Sequence, residues 1–146
     1  GLYAALGRHD QENLHLLQSD QIRVWNHAEL ISSPTHGWES VQIGTCGSPI
    51  ETGEGWLVLT HGVGPMRRYT LGAMLLDLDD PSQVIARLDE PLLEPGPDER
   101  NGYVPNVLYT CGAMVHAGRL VVPYGLSDHR VRVMTVPLKE LLADMT

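Results

Sequence analysis

GWLVLTHGVGPMRRYTLGAMLLDLDD, residues Gly55–Asp80, decides how this chain is read. Trp56 to Thr60 is a short apolar run opened by the turn signal Gly53-Glu54-Gly55. Tyr69 to Leu78 is a second apolar run, closed by Asp79-Asp80-Pro81. Both have the length and composition of strands. The connection between them gathers His61, Arg67, Arg68 and Tyr69 among Gly62, Gly64 and Pro65. Four hydrogen-bond donors on one short link between rigid strands suit an anion or a polyhydroxylated ligand. The competing reading is a solvated loop with ordinary surface arginines.

The flanking segments repeat this plan. Thr45-Cys46-Gly47-Ser48-Pro49-Ile50 leads into Gly55-Trp56-Leu57-Val58 and on to His61-Gly62. Thr110-Cys111-Gly112-Ala113-Met114-Val115 leads into Gly118-Arg119-Leu120-Val121 and on to Tyr124-Gly125. The cysteines are 65 residues apart (46 to 111) and the closing glycines 63 (62 to 125). A partial third copy starts the chain: the apolar run Leu2 to Leu6, then Gly7, 55 residues before Gly62, a polar loop and another strand. Repeated all-β units of this kind are the mark of a propeller, in which four-stranded blades surround a channel. An ordinary two-sheet sandwich with an accidental repeat is the alternative. In a propeller the loops after Gly7, Gly62 and Gly125 converge on one end of the channel. They carry Arg8, His9, Asp10 and Asn13, then the central cationic group, then Asp128 and His129.

Further strands are expected at Asn13 to Gln18, Gln21 to Trp25, Trp38 to Ile43, Val84 to Leu88, Gly118 to Tyr124 and Arg130 to Val136. Tyr103 to Tyr109 is interrupted by Pro105, which cannot occupy a central ladder position. Pro137 starts a closing helix through Met145. The whole is all-β with a short C-terminal helix, one propeller-type segment over residues 1–146.

Composition narrows the function classes. The chain has 146 residues, 42% of them hydrophobic, with no phenylalanine, so Trp25, Trp38, Trp56 and five tyrosines are its only aromatics for a core. A formal charge of −8 argues against nucleic acid or an anionic membrane as partner. No apolar run approaches the length of a membrane span. Two isolated thiols, Cys46 and Cys111, read as packed residues of a reduced, cytoplasmic protein. The histidines lack metal-ligand spacing, so no metal is expected. The chain opens with Gly1 directly on an apolar run, as though cut from something longer.

The central stretch continued from Pro81 to Leu93, then Gly102-Tyr103-Val104-Pro105-Asn106, then Tyr124-Gly125-Leu126-Ser127-Asp128, resembles the family 130 glycoside hydrolases. The segments Arg8 to Trp25 and Trp38 to Leu57 are similar to that family too, so the likeness covers nearly the whole chain. It implies a five-bladed β-propeller, of which this chain matches about two and a half later blades. It implies phosphorolysis of β-mannosides with inversion: phosphate attacks the mannosyl anomeric carbon while an aspartic acid protonates the leaving oxygen. Such chemistry needs cations around the attacking dianion.

By the same resemblance Arg8, Asn13, His61, Arg67 or Arg68, and Tyr69 lie on the phosphate side. Tyr103, Asn106 and Asp128 lie on the sugar side. No cofactor is implied; inorganic phosphate is the cosubstrate. Two departures stand out. The Glu-Asp-x-Arg motif that carries the family's proton donor is absent, so no catalytic acid is assigned. The lysine expected among the phosphate ligands has no counterpart, since Lys139 is the only lysine. The rival expectation is therefore a noncatalytic half-propeller that binds sugar or another subunit. Open blades leave strand edges unpaired, so the chain is expected to associate with itself or with a missing N-terminal part.

Overall fold

The computed structural model describes residues 1–146 as twelve strands and one α-helix. They form three antiparallel sheets that follow one another along the chain. The first contains β1 (Tyr3–Gly7), β2 (Leu14–Ser19) and β3 (His27–Ser32), in that order. The second orders β4 (Gln42–Thr45), β6 (Trp56–Gly64), β7 (Arg68–Leu76) and β8 (Val84–Arg87), with β5 (Ile50–Glu51) also on β6. The third orders β10 (Met114–His116), β11 (Arg119–Leu126) and β12 (Arg130–Pro137), with β9 (Leu108–Tyr109) also on β11. Helix α1 (Leu138–Ala143) closes the chain.

The second sheet is packed on both faces, which is why its central strands read as continuous apolar runs. Leu57, Leu59, Leu71, Ala73 and Leu75 join the larger core, which also takes Leu108, Leu120, Val122 and Leu126 of the third sheet and Leu141 of the helix. The alternate residues Val58, Met74 and Leu76 join the smaller core with Leu14 of the first sheet and Ile43. Period-two alternation thus divides one sheet between two neighbours.

The repeat is structural. Gly7 pairs with His15 and Tyr3 with Ser19. Fifty-five residues on, Gly62 pairs with Thr70 and Val58 with Met74. β4 and β5 lie on β6 as β9 and β10 lie on β11. One detail changes. Gly44 pairs with His61, and its counterpart before the second Thr-Cys-Gly, Tyr109, pairs with Gly125. At that end of the strand Gly125 stands in the place of His61, so the closing glycines are offset by one. The two Thr-Cys-Gly turns lie back to back. Gly47, with φ of +87°, would place a Cβ 2.6 Å from the Cys111 carbonyl oxygen and from the Gly112 Cα.

Several expected elements fall elsewhere. His61 lies inside β6 and is 7% exposed, so the link to β7 is only the 3₁₀ turn Pro65–Arg67, and the four donors do not share one loop. Gln21 to Trp25 is no strand. The Ser19 hydroxyl accepts from the Gln21 N–H and donates to its carbonyl, and the Trp25 indole donates to the Ile22 carbonyl, so the segment turns on itself. The third strand is His27–Ser32 instead. Gly37–Glu39 is a 3₁₀ turn ahead of β4, because the Trp38 indole lies over Gly62 and Gly72 while its N–H donates to the Asp89 carbonyl. Glu39 is fully buried. Its Oε1 accepts from the Thr35 and His36 backbone N–H groups and from Arg87 at 2.6 Å, which ties the loop to β8.

Only Leu108–Tyr109 of the Tyr103 to Tyr109 segment pairs as a strand. Pro137 precedes the helix as its cap, and the helix ends at Ala143. Among the tryptophans and tyrosines only Tyr124 is buried; the cores are largely aliphatic. Cys46 is buried as expected, whereas Cys111 is exposed.

Candidate functional site

His61 is the buried centre of the site. Its parity in β6 matches Leu57 and Leu59, so the imidazole faces the third sheet. Tyr69, at the start of β7, stacks near it with ring centroids 6.2 Å apart. Tyr109 of β9 tilts toward it at 6.1 Å. The Cys46 Sγ lies 3.6 Å from Nδ1. The adjoining Cε1–Nε2 edge of the ring lies over Gly44: a Cβ there would fall 2.6 Å from Cε1, 2.8 Å from Nε2 and 3.0 Å from Cδ of Arg8. Gly44 therefore allows the imidazole and the Arg8 side chain to come together. Arg8 arrives from the first sheet, on the loop after β1, and that loop is anchored where the Ile43 N–H donates to the Glu12 carbonyl at 3.0 Å.

The electrostatics follow from this packing. Burial, then the nearby Arg8 charge, hold the His61 pKa below its ordinary value, with the Thr45 carbonyl acting against them. A histidine so placed is neutral at pH 7. Burial pushes the Cys46 thiol up to about 12, so it stays protonated. Burial and the two cysteines raise the Tyr109 phenol, with Arg8 opposing. The site thus presents one fixed positive charge beside neutral donors. Arg8 itself is exposed, and its guanidinium donates one hydrogen bond, to the Gln11 carbonyl at 3.3 Å.

The other candidates divide. Asn13 donates its side-chain amide to Asp10 at 2.6 Å and its backbone N–H to the same carboxylate at 2.8 Å, which keeps Asp10 well below the usual carboxylate range. Arg68 is half-buried and paired with Glu94 at 2.9 Å, while Arg67 is exposed in the turn. The Asn106 carbonyl accepts from the Tyr69 N–H at 2.9 Å, joining its loop to this end of the second sheet. The Val104 N–H donates to the Ser127 carbonyl, which brings the same loop against the Ser127-Asp128 turn. Tyr103 is 88% exposed there.

Asp128 and Tyr109 line one open cleft of about 310 Å³ with Cys111 and Tyr124. Another cavity, of about 350 Å³, is apolar and lies along β1 away from these polar groups. Tyr109 is the site residue that sequence reasoning passed over. Its signal was the repeat: it precedes Thr110-Cys111-Gly112 as Gly44 precedes Thr45-Cys46-Gly47.

Fold and site define a multi-sheet β protein with a cation, a neutral imidazole and phenols gathered where its sheets meet. The family model described as beta-1,4-mannooligosaccharide phosphorylase matches residues 1–146, and the chain belongs to glycoside hydrolase family 130. It is 38% identical over 143 residues to a 1,2-beta-oligomannan phosphorylase of Thermoanaerobacter sp. (strain X514), covering 97% of this chain and 48% of that protein. It is 48% identical over 107 residues to a beta-1,2-mannobiose phosphorylase of the same organism, covering 73% and 35%. The structure of the Listeria innocua beta-1,2-mannobiose phosphorylase in complex with beta-1,2-mannobiose superimposes with a TM-score of 0.83 at 31% identity. That match covers 98% of this chain and 41% of the other. The chain spans less than half the length of each.

Proposed function

We propose that this chain forms the phosphate- and mannoside-binding part of a β-mannoside phosphorylase, its three sheets serving as consecutive blades of a five-bladed propeller. The observation that carries the reading is the meeting of Arg8 with a neutral, buried His61 over Gly44, in a chain whose relatives are mannoside phosphorylases. Arg8 supplies the charge that holds a phosphate dianion, and His61 and Tyr69 supply directional hydrogen bonds to its oxygens. Arg67, unpaired and exposed, adds a second cation from the turn; Arg68 is occupied by Glu94. Asn13 serves on the same side by holding Asp10 away from the anion. Tyr103, Asn106 and Asp128 serve the sugar, Asp128 accepting hydroxyl hydrogens within the cleft it shares with Tyr109.

In the reaction a phosphate oxygen bonds to the mannosyl anomeric carbon as the glycosidic C–O bond breaks. The leaving oxygen takes a proton from an acid that stays unassigned, because residues 1–146 hold no Glu-Asp-x-Arg motif. That absence favours the second reading, a sugar- and phosphate-binding unit that catalyses nothing alone.

Two measurements on the purified chain separate the readings. Phosphate added to ¹⁵N-labelled protein is expected to shift the His61 ring resonances, and Arg8→Ala to abolish the shift. No shift at millimolar phosphate refutes the anion site. Incubation with β-1,2- or β-1,4-mannobiose, with and without phosphate, then tests catalysis. Phosphate-dependent mannose 1-phosphate establishes the enzyme, and phosphate binding without product establishes the binding unit.

A further inference from the structure

A neutral imidazole has one proton for two nitrogens, and only the nitrogen that carries it donates to an anion. The two nitrogens of His61 have different neighbours. Nε2 lies on the Arg8 flank, since a Cβ on Gly44 would fall 2.8 Å from Nε2 and 3.0 Å from the Arg8 Cδ. Nδ1 meets the Cys46 Sγ at 3.6 Å. A proton on Nε2 gives an anion beside Arg8 a donor, whereas a proton on Nδ1 leaves a lone pair at Nε2. The thiol thus stands at the nitrogen that decides between them.

Cys46 is held where it can act on that nitrogen. Its N–H donates to the Leu59 carbonyl at 2.9 Å. Its side chain, 1% exposed, joins the core on the face of β6 that carries Leu57, Leu59 and His61. Burial keeps the thiol protonated, so it has an S–H to donate, and sulfur itself is a weak acceptor. From the third sheet the Thr110 N–H bonds to the same sulfur and acts against the burial. Thr110 comes so close because the two Thr-Cys-Gly turns lie back to back. Its hydroxyl is engaged elsewhere, donating to the Pro123 carbonyl at 2.6 Å, and leaves the sulfur to the backbone N–H. With the acceptor side of the sulfur met by Thr110, its proton goes to the Nδ1 lone pair.

We propose that Cys46 is a positioning residue whose S–H donates to Nδ1 of His61 and thereby holds the ring proton on Nε2, beside Arg8. The two repeated turns then have unequal duties. Cys46 sets a tautomer, and Cys111, exposed in the second copy, follows a strand position where Gly125 replaces the histidine. The Thr45 carbonyl favours the charged ring, but that form carries protons on both nitrogens and requires the S–H to turn away. The tautomer is a property of the chain alone; its consequence for phosphate rests on the anion site proposed above.

Long-range ¹H–¹⁵N spectra of the phosphate-free chain at pH 7 read the tautomer directly. Wild type is expected to show His61 with its proton on Nε2. Cys46→Val keeps a buried side chain of similar size and removes the S–H, so the fold is expected to persist. The ratio of the Nε2–H to the Nδ1–H form is expected to fall about three- to tenfold, the share of one hydrogen bond. The converse variant needs no change at the cysteine: the Raman S–H band that Cys46→Val deletes is expected to move to higher frequency in His61→Leu.

A ratio unchanged in Cys46→Val overturns the proposal, as does a wild-type ring protonated on Nδ1 or an S–H band that His61→Leu leaves in place. None of these readouts depends on phosphate. Where the ratio falls as expected, phosphate affinity in Cys46→Val should fall in proportion to the Nε2–H share. An unchanged affinity would then remove His61 from the anion site while the assignment of Cys46 stands.

Discussion

Gly44→Ala tests the site where its packing is tightest. The new methyl would lie 2.6 Å and 2.8 Å from Cε1 and Nε2 of His61, and 3.0 Å from Cδ of Arg8. Carbon contacts relax only near 3.5 Å, so the ring must retreat by nearly 1 Å. Its retreat is blocked by Cys46 at Nδ1 and by the rings of Tyr69 and Tyr109. Overpacking of this kind costs about 1–3 kcal/mol, a fall in melting temperature of roughly 5–10 °C for a domain of this size. Arg8 is the more movable of the two neighbours, so it yields and loses its alignment with the imidazole. Loss of one charge-assisted hydrogen bond is about 1.5–3 kcal/mol, or roughly 10- to 150-fold in phosphate affinity.

Calorimetric titration with phosphate, beside thermal unfolding, measures both effects. Gly62→Ala is the control. Its methyl meets the Trp38 ring at 2.5 Å and the Glu39 Cβ at 2.7 Å on the other face of β6. It is expected to destabilise as much and leave phosphate affinity within about twofold. Equal loss of affinity in the two variants, or no loss in Gly44→Ala, would refute the argument.

Glu39→Ala leaves the Arg87 guanidinium and two backbone N–H groups without their carboxylate; about 3–5 kcal/mol of stability should be lost in urea unfolding, and a loss below about 1 kcal/mol would mean that water reaches the pair. Arg68→Ala breaks a half-exposed pair with Glu94 and is expected to cost no more than about 1 kcal/mol with little change in phosphate affinity, whereas Arg8→Ala removes phosphate binding; equal effects on binding would reverse these assignments. The depressed His61 pKa means that the unfolded chain takes up a proton before the folded chain does. Stability should therefore fall as pH drops from about 6.5 to the lower folded value, then level off. The difference between wild type and His61→Gln isolates this slope, and a difference that is flat or grows toward acid would contradict it.

The strands of the second sheet were legible because their residues are apolar on both faces and their ends carry glycine, proline and aspartate. The repeat was legible in Thr-Cys-Gly and the strand that follows each copy. A polar side chain after Leu59-Thr60 looks like the end of a strand, so the sequence alone puts His61 in a loop. What buries it comes from far along the chain, Tyr109 above all. β3 is not legible because His-Ala-Glu-Leu-Ile-Ser is half polar without strict alternation and is held as a strand by pairing with β2. Glu39 was unreadable for a similar reason: its partner Arg87 lies 48 residues away. The sites proposed from Asn13 and Arg68 show the complementary limit. Residue type announces a donor, and only packing reveals that Asp10 or Glu94 already engages it.

Three copies of one strand position can be compared directly: Leu6 in β1, His61 in β6 and Gly125 in β11. Only the middle copy holds an imidazole; in the first a leucine turns into an aliphatic core, and in the third nothing projects at all. The architecture is multiplied but the chemistry is not. Valency is therefore set by divergence at this position and not by the number of sheets. A phosphate isotherm on this chain should saturate at one equivalent.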